Sequence, residues 1–168
     1  MTELARALPA AASGLRTERV RAPETDSGTD TGFEAALRDW QYVHNLIIPT
    51  DELSLEAVRE RSARNVLDVA HLGDTLVGCM TVRPPAEGST TATVIARILP
   101  AYRGRGFGRE LYAYGLAQAR KLGAEVIETV VLTSNPEGLR FAQAAGFVEF
   151  DRYVLPGHTV PFVDLRLA

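Results

Sequence analysis

The sequence has a single cysteine, Cys79, among its 168 residues. One cysteine excludes an internal disulfide and any zinc site built from several cysteines. Its neighbours at residues 77–82 form an apolar run typical of a strand. We therefore expect an inert core thiol, with a nucleophilic cysteine as the alternative.

Long apolar runs and an excess of charge are also missing. No apolar stretch approaches the ~18 residues that a membrane span needs. The N-terminus carries Glu3 and Arg6 without the basic-then-apolar order of a secretion signal. With 18 basic and 21 acidic residues the net charge is −3, which argues against non-specific nucleic-acid binding. These features predict a cytoplasmic protein that binds neither membrane nor nucleic acid.

The length and composition are those of one ordinary globular domain. Apolar residues make up 46% of the chain and charged residues 23%, so a packed core is expected. Residues 1–14 are small and rich in alanine, which predicts a flexible leader. Residues 15–168 are then expected to form a single domain.

Hydrophobic periodicity predicts alternating strands and helices along the domain. Strands are expected at residues 15–21, 66–70, 75–82, 89–99, 125–132, 147–155 and 160–167. Helices are expected at residues 33–48, 54–63, 106–122 and 135–145, the second of them capped by Thr50 or Asp51. The fold class is therefore α+β, with a βαβ crossover in the second half of the chain.

A glycine-rich segment at residues 98–109, ILPAYRGRGFGR, lies between a predicted strand and a predicted helix. Glycines at alternate positions let the backbone approach a ligand closely and adopt positive φ. Amide groups at a helix start form an anion cradle, and the neighbouring arginines suit a phosphate. The segment predicts a phosphate or diphosphate ligand; a tight turn with solvated arginines is the alternative.

Two common phosphate-binding motifs are excluded by spacing. No Gly-Lys-Ser/Thr follows the glycines, so the segment is not the phosphate loop of a nucleoside triphosphatase. It also lacks the two-residue gap before the last glycine and does not open a Rossmann βαβ repeat.

These residues resemble the GNAT superfamily of acyl-CoA-dependent N-acetyltransferases. That family's signature, Arg/Gln-x-x-Gly-x-Gly/Ala after a strand, is matched by Arg103, Gly106 and Gly108, with Pro100 shortly before. A second signature, an asparagine after the next strand and a helix ending in Gly-Phe, is matched by Asn135 and Gly146-Phe147. The resemblance covers about residues 66–167.

The resemblance implies the GNAT fold, a central mixed, mostly antiparallel twisted sheet of about seven strands flanked by about four helices. It also implies acetyl-CoA as the acyl donor and no metal. The amides of the glycine-rich turn would bind the pyrophosphate, and the preceding strand, splayed at a bulge, would hold the pantetheine arm. Asn135 would bind the pantetheine amides or cap its helix, and Phe141 would pack on the cofactor or in the core. The cofactor-binding residues implied are Ala96, Ile98, Leu99, Arg103, Gly104, Arg105, Gly106, Phe107, Gly108, Arg109, Asn135 and Phe141.

One departure from the family concerns the general acid. Many members carry a tyrosine seven residues after the asparagine, and Ala142 stands there in this sequence. Alanine cannot donate a proton to the departing thiolate, so that role is absent or has moved. The replacements considered are Tyr112, Tyr114, Tyr153 and Ser134.

No catalytic residue is assigned by the sequence. An amine acceptor with a pKa near ~10 must lose a proton before it attacks, and Glu128, His44 and His71 are candidates for the base. With the acids, the candidate catalytic set is Glu128, His44, Ser134 and Tyr153. Trp40, Tyr42, His158 and Phe162 are candidates for the acceptor pocket, and Asp51 and Glu52 for attracting a cation; core packing and solvated caps are the alternatives.

The function expected is transfer of an acetyl group from acetyl-CoA to a primary amine, with a small molecule as the expected acceptor and a protein amine as the alternative. The amine would attack directly in a ternary complex. The alternative is a catalytically inactive acyl-CoA-binding sensor or partner protein with the same fold. A homodimer is compatible with the short chain, and the sequence determines neither the acceptor nor the length of the donor's acyl chain.

Overall fold

The computed structural model describes residues 13–24 and 31–168. Most of the predicted leader and residues 25–30 of the first loop lie outside the described residues. The described elements are β1 (Leu15–Arg19), α1 (Thr31–Ile47), α2 (Leu55–Arg64), β2 (Val66–Leu72), β3 (Thr75–Arg83), β4 (Thr91–Ile98), α3 (Phe107–Lys121), β5 (Val126–Leu132), α4 (Pro136–Ala144), β6 (Phe147–Tyr153) and β7 (Phe162–Leu167). Their order agrees with the order predicted from the periodicity.

The strands form one twisted sheet in the order β1-β2-β3-β4-β5-β7-β6. Among the described strands only β4 and β5 pair in parallel, and every other neighbouring pair is antiparallel. The mixed, mostly antiparallel α+β sheet expected from the sequence is therefore confirmed. The parallel pair follows from the helical crossover α3, which returns the chain to the same end of the sheet.

The two faces of the sheet carry separate hydrophobic layers. Helices α1 and α2 cover one face, where Trp40 and Val58 pack in a cluster with Cys79. Helix α3 covers the other face, where Leu111 packs in a cluster with Met80. Burial raises the pKa of the Cys79 thiol to about 11, so it is a protonated core side chain at neutral pH.

The central strands β4 and β5 separate after a short paired stretch. Pairing runs only from Thr91 with Val126 to Thr93 with Glu128. Beyond it, β4 stays in continuous register with β3, so the predicted divergence is present without the predicted bulge. Alternate backbone N–H and C=O groups of residues 94–98 therefore face the gap without a strand partner.

The start of α2 differs from the prediction. Ser54, not Thr50 or Asp51, is the N-cap, and its side chain accepts a hydrogen bond from the Ala57 amide at 3.1 Å. Thr50 and Asp51 lie instead in a short 3₁₀ turn at Pro49–Asp51. Proline starts that turn because its fixed φ suits a first helical position, and the chain is extended again at Glu52 before α2 begins.

Candidate functional site

The glycine-rich loop forms an open backbone cradle at the start of α3. Gly104 and Gly106 have φ values of 78° and 86°, a conformation that favours glycine. Gly106 is the N-cap and offers no side-chain cap, and the first amide of the helix that bonds back is Glu110, to the Gly106 carbonyl at 3.1 Å. The amides from Gly104 to Arg109 have no hydrogen-bond partner among the described residues. Together with the positive end of the helix dipole, these amides form a site suited to an anion.

Arg103 ties this cradle to two neighbouring elements. Its Nε donates to the Ile98 carbonyl at 2.9 Å, and its Nη1 donates to Glu137 at 2.6 Å. These bonds connect the loop to the end of β4 and to the first turn of α4. Arg103 therefore positions the loop, while Arg105 lies over the Tyr102 ring at 5.9 Å.

A cavity of about 500 Å³ opens beside the cradle. All the predicted cofactor-binding residues except Leu99 and Arg105 line it. Leu99 is buried in the core and donates its amide to the Val77 carbonyl at 2.8 Å. The lining residues that sequence reasoning missed are Ile47, Arg97, Tyr102, Glu137 and Gly138.

Asn135 combines both interpretations offered for it. Its Oδ1 accepts from the Gly138 amide at 3.1 Å and so caps α4. Its Nδ2 has no hydrogen-bond partner among the described residues, and the residue lines the cavity. The side chain can therefore cap the helix and still donate to a ligand amide.

A second, smaller cavity of about 220 Å³ lies between the separated strands. Its walls come from both helical layers and from strands β3 to β7. The residues it shares with the larger cavity are Ala96, Arg97, Asn135, Gly138 and Phe141. Two ligands, one in each cavity, would therefore meet where β4 leaves β5.

The four candidate catalytic residues fall into two pairs. His44 and Tyr153 line the second cavity. Glu128 instead accepts from Arg166 at 2.6 Å, and Ser134 is exposed in the turn after β5. Neither Glu128 nor Ser134 is among the lining residues of the two cavities.

His44 presents an uncharged imidazole to the second cavity. Burial, together with the nearby Arg97 charge, lowers its pKa to about 4. Its Nδ1 bonds to the Asn45 Oδ1 at 3.1 Å, and this oxygen also accepts from the Leu53 amide. An oxygen accepts, so Nδ1 carries the proton and Nε2 is the free base. The ring stacks on Trp40 with 5.2 Å between centroids.

Two tyrosines also reach the second cavity. The Tyr153 hydroxyl donates to Asp164 at 3.1 Å, and burial raises the pKa of this phenol. The Tyr112 hydroxyl lies 2.9 Å from the hydroxyl of Thr129, which directly follows the last residue of β5 that pairs with β4. Burial raises the pKa of Tyr112 as well, so both phenols are protonated at neutral pH.

The remaining candidates are placed as follows. Ala142 is buried in the core, and the Tyr114 hydroxyl donates to Asp68 at 3.5 Å. Trp40 is a core residue whose indole donates to the Met80 carbonyl at 3.3 Å. Phe162 and Asp51 line the second cavity, whereas Tyr42, Glu52, His71 and His158 are absent from its lining.

Three arginines from different elements line the second cavity: Arg61 of α2, Arg83 of β3 and Arg97 of β4. Desolvation lowers the pKa of each, and repulsion among the three guanidinium groups lowers it further. Sequence reasoning missed all three because they are far apart in the chain. The one available signal was Arg97, the single charged residue in the strand TATVIARI.

A model of the acetyltransferase (GNAT) family matches residues 30–147. No protein with a curated description matches the sequence. Among the described residues, no helix combines the length and the apolar composition that crossing a bilayer requires.

Solved structures share the fold at low sequence identity. The structure of yncA from Salmonella typhimurium, which contains its cofactor acetyl-CoA, has a TM-score of 0.67 at 16% identity and covers 92% of this chain and 93% of that one. Ribosomal-protein-alanine N-acetyltransferase from Brucella melitensis has a TM-score of 0.64 at 19% identity, over 79% and 94%. NAA60 from Arabidopsis thaliana, in complex with a bisubstrate analogue, has a TM-score of 0.68 at 13% identity, over 90% and 96%. Identities this low establish the fold alone.

Proposed function

The chain belongs to the acetyltransferase (GNAT) family, and we propose on that premise that it acetylates the primary amine of a small molecule. The family makes it an acetyl-CoA-dependent acyltransferase. The acceptor class and the mechanism are our proposal. The observation that carries them is the pair of cavities that meet at the separated strands. A cytoplasmic location stays a prediction.

The larger cavity fits CoA because the backbone groups along it that lack hydrogen-bond partners match the polar groups of CoA. The amides from Gly104 to Arg109 need acceptors, and a pyrophosphate supplies them. The unpartnered edge of β4 needs both donors and acceptors, which a pantetheine arm with its two amides supplies in the manner of an added strand. Arg109 and the free Nδ2 of Asn135 complete the lining. A volume of about 500 Å³ is within the ~300–1,000 Å³ usual for ligand sites.

The smaller cavity fits a small acceptor. Its volume of about 220 Å³ is below that usual range, and Tyr153, Leu155 and Phe162 are among the side chains that line it. A peptide segment would need a longer groove. We therefore propose a small-molecule amine in this cavity, although relatives of the same fold include one whose name gives a ribosomal protein as its substrate.

The transfer is proposed to be direct. Acetyl-CoA supplies an acetyl group activated as a thioester. The two cavities hold donor and acceptor side by side, so orientation replaces a covalent enzyme intermediate. N–H groups of the β4 edge other than that of Ala96, which bonds to the Tyr112 hydroxyl, can stabilise the negative charge that develops on the carbonyl oxygen. The bisubstrate analogue bound to the Arabidopsis relative supports such a ternary arrangement.

Proton transfers are proposed for two side chains of the smaller cavity. Nε2 of His44 is the proposed acceptor, directly or through water, of the proton that the amine nitrogen loses as its bond to the acetyl carbon forms, because the nitrogen becomes strongly acidic at that stage. Tyr112 replaces the tyrosine missing at Ala142 as donor to the departing sulfur. Its hydroxyl is hydrogen-bonded to the backbone of Ala96, which lines both cavities, so it lies at their junction.

The experiment is an assay of thiol release from acetyl-CoA across a panel of amines, with the acetylated product identified by mass. We expect one acetylated amine for each thiol released. Protein incubated with acetyl-CoA alone should show no gain in mass, because no acyl-enzyme is formed. Tight CoA binding without turnover of any amine would contradict the proposal and favour the sensor interpretation.

A further inference from the structure

We propose that the acceptor carries an anionic group, a carboxylate or phosphonate, beside its amine, and that Arg61, Arg83 and Arg97 bind it. This rests on the proposed function, because it assigns the smaller cavity to the acceptor. It goes further by stating which chemical class of amine the cavity selects.

The fold directs these arginines toward one space. Arg97 pairs with Cys79 across the β3–β4 ladder, so the two side chains share a face of the sheet. Arg83 follows Cys79 by four residues on the same strand and therefore points to that face too. The layer of α1 and α2 covers this face, and α2 contributes Arg61.

The three guanidinium groups lack carboxylate partners. Elsewhere in the described chain, arginines such as Arg19, Arg103 and Arg166 form salt bridges with acids. None of the three cavity arginines forms a salt bridge within residues 13–24 and 31–168. A cluster of like charges in which no member is salt-bridged is unfavourable, so it marks a place where a ligand supplies the negative charge.

The remaining charges of the cavity do not neutralise this cluster. Of the described residues in the lining, Asp51 is the one carboxylate. His44 is neutral, because burial holds its pKa near 4. Asp164, outside the lining, accepts from Tyr153, and its charge acts on Arg83 as that of Asp51 acts on Arg61, so two carboxylates face three guanidinium groups. The lining therefore keeps a net positive charge at neutral pH.

The same charges assist the chemistry of the acceptor amine. Positive neighbours disfavour an ammonium ion, so they lower the pKa of an amine bound close to them. An acceptor with an acid group would dock through its anion and present its amine in the reactive, unprotonated form. An acceptor without an anion would meet only the repulsion.

The CoA phosphates are a poorer match for this cluster. The amide cradle lies at the start of α3, in the larger cavity. Arg61 and Arg83 line only the smaller one. Arg97 lines both, at the junction, and so would sit closest to the reacting groups.

The test compares amines that differ only in the anion. Acetyl transfer is measured for α-, β- and γ-amino acids, each beside its amide, and for aminomethylphosphonate. We expect at least one acid to exceed its amide in kcat/KM by about 10-fold or more in the unmodified protein, since a charge-assisted hydrogen bond is typically worth that much. The acid with the highest kcat/KM identifies the preferred anion and its distance from the amine.

Variants then assign the effect to the cavity. Arg61→Gln and Arg83→Gln should each lower the acid-to-amide ratio by about 10-fold, the effect of one lost charged contact. Arg59→Gln is the matched control, because it removes the same charge from the same helix, but Arg59 pairs with Glu34 and is absent from the lining. The acid-to-amide ratio of kcat/KM in this control should equal that of the unmodified protein. Arg83→Lys, which keeps the charge, should retain most of the preference.

Binding gives a readout that needs no turnover. Calorimetric titration of the CoA-saturated protein with the same acids and amides should show the same preference. Amides bound as well as acids, or a preference unchanged in both glutamine variants, would overturn the inference. Acid binding that depends on Arg61 and Arg83 without acetylation of any amine would instead overturn the proposed function alone. Thermal unfolding of each variant shows whether it is folded.

Discussion

One pair of matched glycine substitutions can separate an effect on CoA binding at the Gly106 cradle from an effect on the stability of the fold. Gly106 has φ +86° and Gly123, at the other end of α3, has φ +91°. A Cβ at either position would meet no atom within 4 Å. Gly106→Leu and Gly123→Leu therefore carry the same backbone strain, about 1–2 kcal/mol, and no clash.

The two variants should differ in CoA binding. Gly106 lines the larger cavity and Gly123 does not. A side chain at Gly106 would stand beside the free amides from Gly104 to Arg109 and would displace the pyrophosphate from them. Losing two charge-assisted bonds of about 1.5–3 kcal/mol each weakens binding by roughly 10²–10⁴-fold. Gly123→Leu should bind CoA as tightly as the unmodified protein.

Calorimetric titration with CoA gives the Kd, and thermal unfolding gives the loss of stability of each variant. Both variants should lose about 2–8 °C in Tm, the shift expected for 1–2 kcal/mol in a chain of this size. A Kd for Gly106→Leu within about threefold of the unmodified value would refute the cradle as the pyrophosphate site, since charged contacts of this kind are worth more.

Two further outcomes concern the proposed proton carriers. Because the folded pKa of His44 is about 4 and the ordinary pKa of histidine is 6.5, the unfolded chain binds more protons between these values. The free energy of unfolding should therefore fall by about 3 kcal/mol as the pH drops from 7 to 4, and urea titrations of His44→Gln should lack that part of the loss. Tyr112→Phe should lower kcat by about 10²-fold or more at unchanged KM for acetyl-CoA, with a smaller effect for a donor whose thiol is more acidic. Tyr114→Phe, on the same helix but bonded to Asp68, is its control, and equal losses in both variants would contradict the assignment.

Local chemistry in the sequence determined the cradle and the order of the elements. A glycine at positive φ followed by a helix is a property of a few consecutive residues, so Gly106 and the start of α3 could be predicted without the rest of the chain. The same holds for Asn135 as a cap, which needs only the amide three residues on. The resemblance to the family could be found from the sequence for the same reason, because both of its motifs are short stretches of neighbouring residues.

Tertiary structure decided the acceptor side. Glu128 and His44 were equal candidates for the base by residue type. In the folded protein Arg166 of β7 forms a salt bridge with Glu128, whereas the packing of α1 places His44 in the lining of the smaller cavity. Arg61, Arg83 and Arg97 become one cluster only because β3 pairs with β4 and α2 lies over that face. Periodicity shows which face of an element is buried, whereas the pairing of strands and the docking of helices decide which distant side chains meet. That information resides in long-range contacts, which no short stretch of this sequence contains.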